Sequence, residues 1–110
     1  MKSASQHWWL QRVSAVVLIP LIGWFSIAVF GQMSASYEEA RAWLGHPLNG
    51  GLMIMSLFAL YWHARFGLQV VAEDYVSSAV KRRWLLLAVN GILLVWIVTA
   101  VVAVCTIMGF

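Results

Sequence analysis

The chain has 110 residues, of which 63% are hydrophobic and only 10% are charged, and its mean hydropathy is +0.84. This composition is too apolar for a soluble globular domain of that length, so we predict an all-α membrane protein. The formal net charge of +3 comes from a few basic residues beside the apolar stretches, and it gives no support to nucleic-acid binding.

The first predicted element is a membrane-spanning helix over about residues 10–31. It has no charged residue after Arg12, and a hydrocarbon core of about 30 Å requires roughly 20 helical residues. The small residues Ser34-Ala35-Ser36 resemble a signal-peptide cleavage site, but the apolar run exceeds the usual length of about 7 to 15 residues. We therefore expect this helix to be retained.

A short helix outside the membrane is predicted next, over about residues 37–44. Ser36 and Glu39 have the spacing of a capping box, in which the serine side chain satisfies a free amide of the first turn. Gly45 and Pro47 supply a stop. We interpret this segment as a surface connector whose apolar side chains turn toward the membrane.

Two further spans follow, over about residues 50–72 and 84–108. The last one carries no charge, whereas the middle one contains His63 and Arg65. Three spans place the two termini on opposite sides of the membrane. Without a linker or an internal repeat, residues 1–110 are predicted to form a single membrane-anchor domain.

The positions of the basic residues predict the orientation. The first loop offers only Arg41 beside two glutamates, whereas the basic residues cluster before the first span and before the third: Lys2, Arg12, Lys81, Arg82 and Arg83. By the positive-inside rule, the N-terminus and the second connector are cytoplasmic and the C-terminus faces outward. We expect the basic connector to contact anionic lipid headgroups.

His63 requires an explanation, because an ionisable residue several turns inside a membrane span is costly unless it is paired. At about 100° per residue, its helix face is shared by small residues, namely Ser56, Ala59 and Gly67. Such a face permits the close approach of another helix or of a flat cofactor. Asp74 lies roughly 20° away in projection, and Tyr75 follows at the cytoplasmic boundary.

The residues alone leave three interpretations of His63 open. Its imidazole could coordinate haem iron, hydrogen-bond a serine, threonine or carbonyl of another helix, or relay protons. His7 belongs near the cytoplasmic end and His46 lies outside, so a haem would need its second axial ligand from a partner chain. Cys105 is the only cysteine, which excludes an internal disulfide or a CxxC metal site.

The spacing His63-x3-Gly67-x6-Asp74-Tyr75 on the second of three spans resembles the smaller cytochrome b membrane-anchor subunit of succinate dehydrogenase. Residues 67–75, GLQVVAEDY, and residues 7–12, HWWLQR, are most similar to the alphaproteobacterial and mitochondrial members. The resemblance implies a multi-pass protein of the bacterial inner membrane. It also implies three partners: a larger cytochrome b anchor, an iron–sulfur subunit and a flavoprotein subunit.

The same resemblance implies roles for individual residues in the tricarboxylic acid cycle and respiratory electron transport. His63 matches an axial ligand of haem b, and Arg12 matches an arginine near the haem propionates. Tyr75 matches the tyrosine that hydrogen-bonds a ubiquinone carbonyl, and Asp74 matches the acidic residue beside the quinone pocket. The chain contributes no catalytic residue of its own and is expected to catalyse nothing alone.

Simpler interpretations remain beside these. Asp74 and Tyr75 also fit an ordinary interfacial cap, and Arg12 fits a topology determinant. Arg65 has no known family role, and Ser14 is too common a residue type to assign. For the whole chain, the alternatives are a cofactor-free assembly subunit, a small transporter, which would have four spans and a carboxylate in the first, and a diheme anchor, which would need more spanning histidines.

Overall fold

The computed structural model describes residues 4–110, apart from the side chains of Ala4 and His7. Its described part consists of four α-helices: α1 (Ala4–Gln32), α2 (Tyr37–Gly45), α3 (Pro47–Tyr75) and α4 (Ala79–Met108). The predicted all-α class is therefore confirmed for this part of the chain. Lys2 and the His7 side chain, which entered the sequence predictions, lie outside the described residues.

Two of the helical segments are long and apolar enough to cross a membrane, Trp8–Gln32 and Ala79–Met108. Only 11% of the most apolar window of each is buried, whereas a core helix of a soluble protein would be mostly buried. Helix α3 is also 29 residues long, but His63 and Arg65 interrupt its apolar character. The third span and the orientation of the termini stay predictions.

Helix α2 begins as the sequence predicts. The Ser36 hydroxyl oxygen accepts a hydrogen bond from the Glu39 amide at 3.1 Å, which satisfies one of the free N–H groups of the first turn. The same hydroxyl lies 3.2 Å from Glu39 Oε1 and donates to it. The helix extends to Gly45, one residue beyond the predicted end.

A single residue, His46, joins α2 to α3. Its backbone N–H donates to Trp43 O at 3.3 Å and closes α2, while its Nδ1 accepts from the Leu48 amide at 3.2 Å and opens α3. Pro47 then stands in the first turn of α3, where a missing N–H costs nothing. The two helices are therefore linked without a flexible loop.

Helix α3 is the centre of the bundle, because it packs extensively against both α1 and α4, whereas α1 and α4 have no comparable contact among the described residues. The molecule measures 49 × 25 × 25 Å, close to the length of about 45 Å expected for a 30-residue helix. The few buried apolar side chains line these two seams: Leu18, Leu21, Tyr61, Ala72, Ile97 and Val104.

Helix α2 covers one end of the bundle. The rings of Trp24 and Trp43 stack at 6.0 Å with an interplanar angle of 17°, which ties α2 to α1. Gly50 of α3 lies so close to α2 that an added Cβ would stand 2.9 Å from Leu44 O and would overlap the side chain of Met108. Close approach of three helices at this end therefore depends on the absence of a side chain at Gly50.

Candidate functional site

The candidate site is built around His63, which is half-buried where α3 packs against α1. Its Nδ1 lies 3.1 Å from the hydroxyl oxygen of Ser14 on α1. The interhelical hydrogen bond considered for this histidine is therefore present. No hydrogen bond to Nε2 is found among the described residues, so this nitrogen is not used by the α1–α3 contact.

The proton of this hydrogen bond can be placed by counting donors. A serine hydroxyl has one hydrogen and two lone pairs. Ser14 donates that hydrogen to Gln11 O, 2.9 Å away and one turn earlier in α1. With that hydrogen bond made, the Ser14 oxygen is an acceptor, and the matching tautomer of His63 is the one that carries its proton on Nδ1 and a lone pair on Nε2.

Helix α1 packs against the small residues beside His63, as expected for a face without bulky side chains. A Cβ added at Gly67 would lie 3.5 Å from Gln11 Nε2, an ordinary van der Waals contact. The Ser56 hydroxyl is buried and donates to Leu52 O at 2.8 Å, so it is satisfied within α3. Gln11 Oε1 is buried without a hydrogen-bond partner, which leaves one unused acceptor a single turn from the Ser14–His63 pair.

An open apolar groove of about 350 Å³ runs along the same α1–α3 seam. Its floor includes Ser14 and Ala59, and its walls are apolar: Leu10, Val13, Val17, Trp62 and Phe66. A flat, largely apolar group could lie along such a surface, because most of its contact area would be hydrocarbon.

The two arginines of this region lie apart from the Ser14–His63 contact. Arg12 is exposed on α1, and its guanidinium lies 5.0 Å from the ring centroid of Trp8. Arg65 is half-buried, with its guanidinium 5.4 Å from the ring centroid of Trp62. Each cation is therefore placed over an indole ring, a favourable electrostatic contact, and neither is paired with a carboxylate in a contact that the structure shows.

Asp74 and Tyr75 lie at the end of α3, and both side chains are exposed. Tyr75 is the last residue of the helix and is 83% exposed, and Asp74 is also exposed. Twelve residues separate Tyr75 from His63, which corresponds to about 18 Å along the helix axis. One turn before this end, Gln69 Nε2 donates to Glu73 Oε1 at 2.8 Å.

The start of α4 places basic residues beside the same end of α3. The Arg82 guanidinium donates to Val76 O at 3.2 Å, which fixes the short connector between the helices. A groove of about 380 Å³ there has a mixed lining of polar and apolar residues: Gln69, Arg82, Arg83 and Asn90 with Ala79, Leu86 and Leu87. The predicted basic connector is therefore a structured corner rather than a loose loop.

Comparison with known proteins identifies the family of this chain. Residues 1–107 match the family described as the succinate dehydrogenase/fumarate reductase transmembrane subunit. This chain belongs to that family. The predicted resemblance to the membrane-anchor subunit of succinate dehydrogenase is thereby confirmed at the level of the family.

Several members of the transmembrane-subunit family are similar over most of this chain. The succinate dehydrogenase hydrophobic membrane anchor subunit of Rickettsia bellii is 32% identical over 103 residues, which cover 94% of this chain and 82% of the relative. The succinate dehydrogenase membrane anchor subunit of Reclinomonas americana is 38% identical over 86 residues, or 74% and 70% of the two chains. The anchor subunit of Paracoccus denitrificans is 29% identical over 87 residues, or 77% and 66%.

The side chains near His63 suit haem iron better than a metal ion that needs several protein ligands. Among the described residues, no three His, Cys, Asp or Glu side chains come together as a metal site. A haem iron needs only one or two ligands from protein, and the Ser14 contact of His63 uses Nδ1 and not Nε2. The site residues therefore suit a group that is completed by a second chain.

The residue that sequence reasoning left unassigned is Ser14. Its type is common in membrane helices, and periodicity along α1 does not show which of its residues meets α3. No signal in the sequence pointed to it, because the hydroxyl donates to the backbone carbonyl of residue 11, which any residue type would supply. Only the register between α1 and α3 reveals that this neighbour is His63.

Proposed function

We propose that this chain is the smaller membrane anchor of a succinate dehydrogenase in the inner membrane of a bacterium, and that it supplies one axial ligand to haem b. The observation that carries the proposal is the Ser14–His63 hydrogen bond, which occupies Nδ1 and leaves the Nε2 lone pair free for iron. The second axial histidine then comes from the larger cytochrome b anchor subunit. Bound there, haem b would accept and return single electrons.

In this proposal the chain crosses the membrane three times, and His63 lies within the second span. Helix α3 has 29 residues and lies between the two helices that meet the length and composition criteria for crossing a membrane. A helix packed in the middle of such a pair shares their environment, so α3 is the second span. With Arg82 and Arg83 at the inner end, the N-terminus is cytoplasmic and the C-terminus faces outward.

Tyr75 and Asp74 belong to a ubiquinone site at the cytoplasmic end of α3. The Tyr75 phenol is open to an incoming group and can donate a hydrogen bond to a quinone carbonyl. The Asp74 carboxylate next to it can hold a proton near the reduced quinone. Because both side chains are exposed, the remaining walls of the pocket come from the larger anchor and the iron–sulfur subunit.

Arg12 serves as a charge partner for the haem propionates. It lies two residues before Ser14, so it is within about 3 Å of the level of the His63 contact along the axis of α1. Its guanidinium is exposed and lies over Trp8 rather than in an ion pair, so it is available for a carboxylate of a bound group.

The roles of the subunits follow from the residues that this chain contains. Succinate would be oxidised in the flavoprotein subunit, and its electrons would pass through the iron–sulfur subunit to ubiquinone near Tyr75. This chain holds the assembly in the membrane, excludes water from the imidazole of His63 and presents the quinone-facing phenol. Its own residues perform no bond-breaking step.

The test is a reduced-minus-oxidised absorption spectrum of the purified complex that contains this chain. Wild type is compared with His63→Ala and with His46→Asn, a control that changes the exposed histidine between α2 and α3 while keeping a good helix-capping residue. We expect a low-spin b-type signal in wild type and in His46→Asn, and its loss or alteration in His63→Ala. An unchanged spectrum in His63→Ala, or none in wild type, would favour a cofactor-free assembly subunit.

A further inference from the structure

We infer that Ser14 is a positioning residue for the haem ligand: it accepts the Nδ1 proton of His63, fixes the imidazole tautomer and tunes how strongly Nε2 binds iron. This inference rests on the proposed axial role of His63. It concerns a residue on a different helix that touches the ligand and not the iron. The sequence pattern of residues 63–75 does not contain it.

The proposed direction of the hydrogen bonds is built on two contacts of Ser14. Ser14 Oγ is 2.9 Å from Gln11 O and 3.1 Å from His63 Nδ1. The carbonyl of Gln11 can only accept, and in the proposed arrangement the single hydroxyl hydrogen of Ser14 is donated to it. The result is a chain that runs from imidazole N–H to hydroxyl to carbonyl, in which each hydrogen bond polarises the next.

The opposite arrangement would disable the ligand. If Ser14 donated to Nδ1, the neutral imidazole would carry its proton on Nε2, and a protonated nitrogen has no lone pair for iron. Ser14 therefore selects the tautomer that can bind, before haem arrives. Ring rotation is restricted as well, because the hydrogen bond joins α3 to α1 at a half-buried position.

An acceptor at Nδ1 also changes the electronic character of the ligand. Drawing the Nδ1 proton toward an oxygen makes the imidazole more basic, and a more basic ligand favours ferric over ferrous iron. Ser14 is thus expected to hold the haem midpoint potential lower than an unpaired histidine would. Its removal leaves an N–H without a partner in an apolar seam.

The experiment is a redox titration of the haem in the purified complex, carried out on wild type, Ser14→Ala, Ser14→Thr and Ser26→Ala. Threonine retains the hydroxyl, and Ser26 is an exposed serine on the same helix. We expect Ser14→Ala to shift the ferric-to-ferrous equilibrium roughly tenfold toward ferrous, a rise in midpoint potential of about 59 mV for one electron. The low-spin ferric EPR signal should change its g values in the same variant.

The inference is supported if Ser14→Ala shifts the midpoint potential and the g values. Both readouts should keep their wild-type values in Ser14→Thr and Ser26→Ala. Wild-type values in Ser14→Ala overturn it, even though His63 still binds iron. If Ser14→Ala does not assemble, Ser14→Cys keeps the side-chain size with a much weaker acceptor, and the same two readouts decide. Failure of the axial role itself is distinguished by His63→Ala, whose spectrum would then equal that of wild type.

Discussion

Ser14 and His63 are 49 residues apart in the chain, yet their side chains meet at 3.1 Å between α1 and α3. This contact joins the two helices at the level of α3 where His63 and Arg65 lie. The two ring nitrogens of His63 therefore differ in role, because Nδ1 makes the contact between the helices and Nε2 takes no part in it. A histidine can therefore be both an interhelical hydrogen-bond donor and an iron ligand, and the two interpretations of His63 do not compete.

The tightest of the described glycine positions, Gly50, predicts a stability difference from its neighbour Gly51. A Cβ at Gly50 would meet Leu44 O at 2.9 Å, a backbone atom that moves only with α2, whereas a Cβ at Gly51 would have nothing within 4 Å. We expect Gly50→Ala to cost about 1 to 3 kcal/mol from overpacking and Gly51→Ala to cost little. Thermal denaturation of the purified complex provides the measurement, and equal midpoints for the two variants would contradict the close approach.

The cap of α2 predicts a local effect on amide exchange. Ser36→Ala removes the acceptor of the Glu39 amide and should destabilise the first turn by about 1 kcal/mol, or roughly fivefold faster hydrogen exchange there. Ser34→Ala, an exposed serine before the helix, is the matched control. Mass-spectrometric exchange of the peptide over α2 tests this, and unchanged protection in Ser36→Ala would show that the cap contributes nothing.

The proposed quinone site predicts a selective change in Tyr75→Phe. Loss of one hydrogen bond to a neutral carbonyl should raise the KM for ubiquinone by roughly fivefold, corresponding to about 1 kcal/mol. Tyr37→Phe at the other end of the bundle is the control, since that side chain is 75% exposed and similar in chemistry. Quinone reduction is measured beside succinate oxidation with an artificial dye, which should stay at the wild-type level in both variants.

An effect of Tyr75→Phe on the dye assay as well would point to a general assembly defect and would contradict a role confined to quinone. The haem spectrum of the same preparation provides an internal check. It should be unchanged, because Tyr75 lies about 18 Å along α3 from His63.

The proposed topology predicts opposite labelling of the two connectors. In a Cys105→Ala background, Ser34→Cys should react with a membrane-impermeant maleimide from the outside of intact cells, whereas Ser77→Cys should react only after permeabilisation. Both serines are exposed in connectors between helices. Labelling of both positions from the same side would show that α3 does not cross the membrane, because only an intervening span separates them.

The local elements were predictable because their signals are local. Ser36 and Glu39 placed the start of α2 correctly, since a capping box involves residues three apart. Pro47 was expected only to stop that helix, and it is in fact the first residue of α3. The helix ends were less accurate. Helix α3 continues to Tyr75, three residues past the predicted end of the membrane span near Ala72, because polar side chains do not stop a helix that can extend beyond the hydrocarbon.

By itself, the sequence determined that this chain is helical and apolar, which face of α3 carries His63, and the family resemblance that residues 63–75 display. These properties depend on composition, on helical periodicity and on a motif within thirteen consecutive residues. The tertiary structure alone decided that Ser14 meets His63, that Gln11 approaches Gly67, and that Gly50 lies against Leu44. Such pairs depend on the register between helices, which is set by side-chain packing across the whole seam and not by the spacing of residues along either helix.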